Sequence, residues 1–214
     1  RFARASGPSS VRFGMLTDSH YADYESRDIR HYRESLAKLQ ACIDSLNEHK
    51  VDFVIELGDF VDGSRHPAKD DAVRWLDRLE AVLAQFKGPR YHVLGNHDME
   101  SFAKGEVLAH VENTGIDPER SYYSFDRGGV HFVVMDANFR NDGVPYERCN
   151  FHWTDANIPE AEIDWLKKDL AASKGPVIAF SHQLFDGEGS TYVKNAAAVR
   201  DVFQSSGRTL AVFQ

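Results

Sequence analysis

Five apolar runs of strand length in this chain end in residues that bind protons and metal ions. "TDSHY" follows the run closing at Leu16, and "GDFVDG" follows "VDFVIEL" (51–57). "GNHD" follows "YHVL" (91–94), "MDAN" ends the run from Val130, and "FSHQ" ends the run "PVIAF". Asp and Gly are poor strand formers and good turn formers, so a plain turn would account for any single ending. The repetition of the pattern after strand upon strand calls for a common cause.

The intervening segments read as helices. Ile29, Tyr32, Leu36, Leu39, Ile43 and Leu46 fall three or four apart and predict a helix from Arg27 to Glu48. A second helix is predicted after Pro67, with Val73, Leu76, Leu79, Leu83 and Phe86 on its inner face. "YYSFDRGGVHFVVMDAN" predicts a hairpin of strands Ser121–Phe125 and Val130–Asp136 turning at Gly128-Gly129. Helices from Pro159 to Leu170 and from Ala196 to Gln204 follow, the latter leading to a last strand, "TLAVFQ". Such alternation with a late hairpin predicts a layered α/β domain, mostly parallel with some antiparallel pairing. In sheets of this kind, functional residues gather just past the carboxyl ends of the strands.

The 214 residues, 42% hydrophobic, suffice for one compact domain or at most two small ones. A net charge of −8 argues against a nucleic-acid partner held by a basic surface. It leaves phosphate chemistry open, because a metal ion supplies positive charge locally. Cys42 sits on an apolar helical stripe and Cys149 in a polar loop, so neither a disulfide framework nor a cysteine-rich zinc site is expected. No apolar run approaches a membrane-spanning length. "RFARASGPSS" (1–10) reads as a polar tail, equally compatible with a cytoplasmic protein and with one exported after loss of a leader.

Each strand ending alone has a structural explanation. D-x-H serves as a helix cap or solvated turn. GD-x-x-DG makes an Asx-type turn, and GNHD a turn using Gly and Asn at positive φ. His182 alone reads as a hydrogen-bonded core histidine, and for Asp136 and Asn138 of "MDAN" the structural reading is the favoured one. Taken jointly, however, the endings bring several carboxylates and imidazoles to one sheet edge. Asp18 and His20, two apart in an extended segment, point the same way. Packing such groups together is costly without a cation. A pair of divalent ions removes that cost, and mixed oxygen and nitrogen donors suit Mn, Fe or Zn better than Ca or Mg.

"DSH", "GDFVDG", "GNHD" and "SHQ", in this order and at these intervals, resemble the calcineurin-like metallophosphoesterase superfamily. The pattern of that superfamily is D-x-H, GD-x-x-D, GNH-[DE], a lone His, then GH-x-H. The resemblance implies a four-layer α/β/β/α sandwich, two mixed β-sheets flanked by helices. It implies two divalent metal ions (Mn, Fe or Zn, with Mn favoured): Asp18 and His20 on the first, Asp59 bridging both, Asn96 and His182 on the second. His97 would face the phosphoryl group, and Asp62 would hold His97 in the right tautomer. The implied activity is hydrolysis of a small phosphodiester, pyrophosphate or phosphomonoester by a hydroxide that the two ions activate. The alternatives are a binding scaffold that kept the fold and lost turnover, or a nuclease, which the acidic charge disfavours.

The sequence departs from the pattern at its end, where "LAVFQ" closes the chain with no GH-x-H. Residues 11–214 are therefore expected to be a metallophosphoesterase domain lacking its C-terminal part, with each metal short of one histidine. The GD-x-x-D block has neither the tyrosine of purple acid phosphatases nor the DRG of protein Ser/Thr phosphatases. "DSHYAD" followed by "RHYRESL" is similar to manganese-dependent ADP-ribose/CDP-alcohol diphosphatases, with His20 where that group carries Gln. Arg27, Arg30, His31, Arg33 and Arg65 lie near the first two blocks. They would meet a second phosphate or form a solvated face.

Overall fold

The computed structural model describes residues 10–187 and 189–214, so all but the last residue of the polar N-terminal tail lies outside the described residues. Two sheets face one another. The first is parallel, in the order β1 (Phe13–Leu16), β2 (Phe53–Glu56), β3 (Arg90–His92). The second runs β4 (Tyr123–Arg127), β5 (Val130–Val134), β6 (Val177–Phe180), β7 (Thr209–Phe213), with β4 antiparallel to β5 and the rest parallel. The predicted hairpin turns where expected, with Gly128 at φ 57° and Gly129 at φ 79°. Positive φ at both central residues is what a two-residue hairpin turn requires.

The layering follows from the two-residue period of the strands. Phe53, Ile55 and Leu57 point into an apolar layer shared with Phe132, Val134 and Phe180 of the second sheet. Val54, one step out of phase, packs with Leu39, Ile43, Leu76 and Leu79 of helices α1 (Ser35–His49) and α2 (Lys69–Leu83). On the far side, Val133, Val177 and Ala179 pack with Leu166, Leu170, Val199 and Phe203 of α5 (Glu160–Ala172) and α6 (Ala196–Ser206). The result is α/β/β/α. Each fully buried Phe, Leu or Ile of these layers contributes about 1.5–3 kcal/mol relative to exposure.

The structure differs from the periodicity in one useful place. Residues 27–34 are not helical: the Arg27 and Arg30 backbones form a reciprocal bridge with both N···O distances at 2.9 Å, and Ile29 is 91% exposed. The chain turns here, with Asp28 at φ 54°, and enters α1 only at Ser35. Two short helices, α3 (Asp98–Ser101) and α4 (Lys104–Leu108), follow "GNH" without having been predicted. Among the described residues, no helix is long and apolar enough to cross a membrane.

Candidate metal centre

Because β1, β2 and β3 run in one direction, their carboxyl ends deliver Asp18, Asp59 and Asn96 to one edge, and β6 delivers His182 to the same place. Pairing continues past β1 and β2, with the Asp18 N–H on the Gly58 carbonyl at 3.0 Å and the His20 N–H on the Asp59 carbonyl at 2.9 Å. Asp18, His20 and Asp59 all adopt left-handed backbone, with φ of 55°, 44° and 56°. Non-glycine residues rarely do so, and such conformations cluster at functional sites. Gly58 (φ 99°) and Gly95 let two loops meet. A Cβ on Gly95 would lie 2.0 Å from the Asp59 nitrogen, and one on Gly58 would lie 2.6 Å from the Gly95 nitrogen.

Asp59, only 4% exposed, stands between two imidazoles. Its Oδ1 lies 3.3 Å from Nε2 of His182, and its Oδ2 lies 3.5 Å from Nε2 of His20, which is also 3.5 Å from Oδ1 of Asp18. Both rings are fixed from behind. Nδ1 of His182 donates to the Leu57 carbonyl at 2.9 Å, and Nδ1 of His20 donates to Oδ2 of Asp62 at 3.1 Å. With Nδ1 holding the hydrogen, each Nε2 turns a lone pair toward Asp59, the arrangement by which metal-binding histidines are oriented. A lone pair facing a carboxylate is repulsive, so each gap calls for positive charge, as a proton or as a metal ion.

The proton affinities express the same demand. Burial disfavours charge on Asp59, yet His182, with His97 and His20, holds its carboxyl down to about 2. Burial likewise disfavours protonated His182, but Asp59 lifts it to about 10. His20 rises to about 9, against burial, through Asp18 and Asp62. The donor set therefore fits divalent ions that would take the place of those protons. Asn96 is half-buried in the turn after Gly95, and its side chain has no hydrogen-bond partner among the described residues. The ligand atoms of His20, Asp59 and His97 lie within 4.8 Å of one another.

In the structure Asp62 meets His20 and Arg30, where the resemblance implied His97. Its Oδ2 is taken by Nδ1 of His20 and by the Arg30 guanidinium at 2.5 Å, and its Oδ1 by the N–H and hydroxyl of Ser64. Nδ1 of His97 instead meets Oε2 of Glu100 at 2.9 Å. The two residues are three apart where the chain enters α3, the spacing that brings side chains together on a helix. That spacing was visible in "HDME", and it is the signal that could have found Glu100. Glu100 and Asp59 raise the proton affinity of His97 against the effect of burial.

Asp98, quoted in "GNHD" without a role, is the anchor of the whole loop. Its carboxylate, 2% exposed, accepts the backbone N–H groups of Asp59, Phe60, Val61 and Gly95 at 2.9–3.1 Å. "MDAN" has the structural role favoured for it. Asp136 takes Lys104 at 2.5 Å and the backbone and side-chain N–H groups of Asn138, whose side chain ties the Leu94 carbonyl to Gln183. Of the basic residues near the first two blocks, Arg33 is tied to Asp23 and Glu25, and Arg65 lies over the rings of Tyr24 and Tyr32. Arg30 alone of these reaches the centre, with a guanidinium nitrogen 3.5 Å from Nε2 of His97. Cys42 and Cys149 are both free.

Residues 11–213 match the calcineurin-like phosphoesterase family. The chain is similar to the manganese-dependent ADP-ribose/CDP-alcohol diphosphatase of Oryza sativa subsp. japonica, 32% identical over 132 residues, covering 58% of this chain and 40% of that protein. The protein of the same name in Arabidopsis thaliana is 34% identical over 129 residues, with the same coverage. This chain thus spans about 40% of the length of these curated relatives. A crystal structure of a dimetal phosphatase from Danio rerio superposes with a TM-score of 0.79 at 23% identity, covering 96% of this chain and 80% of that one. That likeness bears on the fold alone. The chain belongs to the calcineurin-like phosphoesterase family.

Proposed function

We propose that this protein is a metal-dependent phosphohydrolase that binds two divalent ions at Asp59. The single observation that carries this reading is the Asp59 carboxylate with one oxygen toward each of two imidazole Nε2 atoms. In this assignment Asp18 and His20 hold one ion, Asn96 and His182 the other, and Asp59 both. When bound, such ions acidify a water and polarise the phosphoryl oxygens. Manganese is favoured by the names of the relatives, which are manganese-dependent.

The remaining work falls to the chain's own groups. Asp59 stays ionised at any ordinary pH. Asp62 and the Leu57 carbonyl fix the two ligand rings, so that no ring must rotate when a substrate arrives. Glu100 takes the Nδ1 hydrogen of His97 and leaves Nε2 directed at the centre. There it holds a proton for the leaving oxygen, a role worth about 10²–10⁴-fold in rate. The relatives' names point to small substrates whose phosphates join a nucleoside to a second group, and we extend that substrate class to this chain.

The test is turnover of bis-p-nitrophenyl phosphate and of ADP-ribose by the chain with Mn²⁺, after chelation, and after Mn²⁺ is restored. Activity that appears, vanishes and returns supports the reading. A chain that binds Mn²⁺ and turns over neither substrate contradicts it.

A further inference from the structure

The two ions assigned to the centre draw their ligands from the fold in different ways. Asp18, His20 and Asp59 all follow strands of the first sheet, and backbone bonds continue between them, from the Asp18 N–H to the Gly58 carbonyl and from the His20 N–H to the Asp59 carbonyl. One ladder therefore sets the separation of those three ligands. Asn96 follows β3 of the first sheet, but His182 follows β6 of the second. The two sheets meet through a layer of apolar side chains, not through a ladder. A metal site needs its ligands held within about 0.5 Å of their working positions, so the second pair requires a tie of its own.

Asn138 spans that gap. It is wholly buried just past the end of β5, and its amide uses both hydrogens and its oxygen. Nδ2 donates at 2.7 Å to the carbonyl of Leu94, two residues before Asn96, and at 3.2 Å to Oδ1 of Asp136. Oδ1 accepts at 2.6 Å from Nε2 of Gln183, the neighbour of His182. Asp136 is itself buried and is held by Lys104, so the tie has a fixed foot. The Oε1 of Gln183 is buried with no hydrogen-bond partner among the described residues. Such an unpaired acceptor costs about 1–3 kcal/mol, and an apolar side chain of similar size would avoid it. Stability alone does not account for an amide at each end of this link.

We propose that Asn138 is a positioning residue for the second ion: it holds the segment of Asn96 and the segment of His182 at the separation which that ion requires, and it leaves the first ion unaffected. The inference rests on the two-ion reading and goes beyond it by giving the two ions unequal dependence on one buried amide. The bond from Nδ1 of His182 to the Leu57 carbonyl, at 2.9 Å, orients the ring, whereas Asn138 ties the chain segments that carry the two ligands. In Asn138→Leu, a change of similar volume, the Leu94 carbonyl and Nε2 of Gln183 lose their partner and the two segments shift independently.

The test is a Mn²⁺ titration by calorimetry of the native chain, of Asn138→Leu, and of the same substitution placed in His20→Ala and in His182→Ala. In Asn138→Leu one of the two binding events should weaken by about 10–100-fold, the usual effect of losing an outer partner, with the other unchanged. In His20→Ala, which keeps the second-ion event, the substitution should cause that same loss. In His182→Ala it should cause no further loss. A merely structural role would move both events alike in every background. Gln183→Met keeps the volume and removes the amide, and it should show a smaller loss of the same selectivity even if Asn138→Leu does not fold. Equal weakening of both events, a loss that persists in His182→Ala, or two native-like events in every variant that folds would overturn the positioning role while leaving the two-ion reading intact. A native chain that binds no second ion would overturn both.

Discussion

Asp62 belongs to His20: its Oδ2 lies 3.1 Å from Nδ1 of that imidazole, across 42 residues of sequence. On the proposed assignment it thereby orients a metal ligand and not His97. Asp62→Asn should therefore lower Mn²⁺ affinity by about 10–100-fold, the usual effect of losing such an outer partner. A Mn²⁺ titration of native and variant chains reads this directly. Unchanged affinity with a reduced kcat would assign Asp62 to His97 after all.

Glu100 is the positioning residue for His97. His97→Ala should lower kcat by about 10²–10⁴-fold with its metal content retained. Glu100 raises the proton affinity of His97, so its removal lowers it. If protonated His97 serves the leaving group, the alkaline limb of the pH–rate profile should move to lower pH in Glu100→Gln. An unmoved limb with a uniformly reduced rate would mean that Glu100 matters only to packing.

Asp98 satisfies four backbone N–H groups inside the protein, and among the described residues no other acceptor is bonded to them. Burial and the charge of Asp59 push its own carboxyl up to about 6, which is the cost of keeping it there. Asp98→Ala leaves those donors unpaired and should destabilise the metal-free chain by about 3–5 kcal/mol, measured by urea unfolding. A loss below about 1 kcal/mol would show that the loop bearing Asp59 holds its shape by other means.

Glu56 and His92 form a second buried titrating pair, 3.7 Å apart behind the loop. Burial opposes the charge on His92, but Glu56 and Glu80 raise it to about 9, while burial pushes Glu56 up to about 7. In both cases the folded chain holds its proton more tightly than the unfolded one. The contribution of His92 is full below pH 6.5 and lost as pH rises through about 9, and that of Glu56 is lost between 4.5 and about 7. The metal-free chain should be more stable at pH 6 than at pH 9, with His20 and His182 acting in the same direction. His92→Gln should flatten the part of the curve above pH 6.5. A native curve that rises over this interval would contradict the assignment.

The fold was legible because its signals are local. Phe53, Val54 and Ile55 announce a strand buried on both faces, and Gly128-Gly129 announces a hairpin. Which residues gather past the strands was legible for the same reason, since Asp18, Asp59, Asn96 and His182 each end a recognisable run. The partners of those residues were not. Asp62 was expected on His97, whereas the structure puts it beside His20, 42 residues away in sequence, and the turn at residues 27–34 carries Arg30 to it. That turn breaks a helical periodicity that Ile29, at 91% exposure, satisfied by accident. The role of Asp98 was hidden because three of its four contacts are to backbone N–H groups 37–39 residues away, which no side-chain pattern encodes.

The most direct test of the account is a Mn²⁺ titration, followed by calorimetry and by electron paramagnetic resonance, of the native chain and of Asp59→Asn, His20→Ala and His182→Ala. Asp59 alone is assigned to both ions. The account predicts that His20→Ala and His182→Ala each weaken one binding event, whereas Asp59→Asn weakens both and abolishes any magnetic coupling between the ions. Retention of two native-like binding events by Asp59→Asn would contradict it.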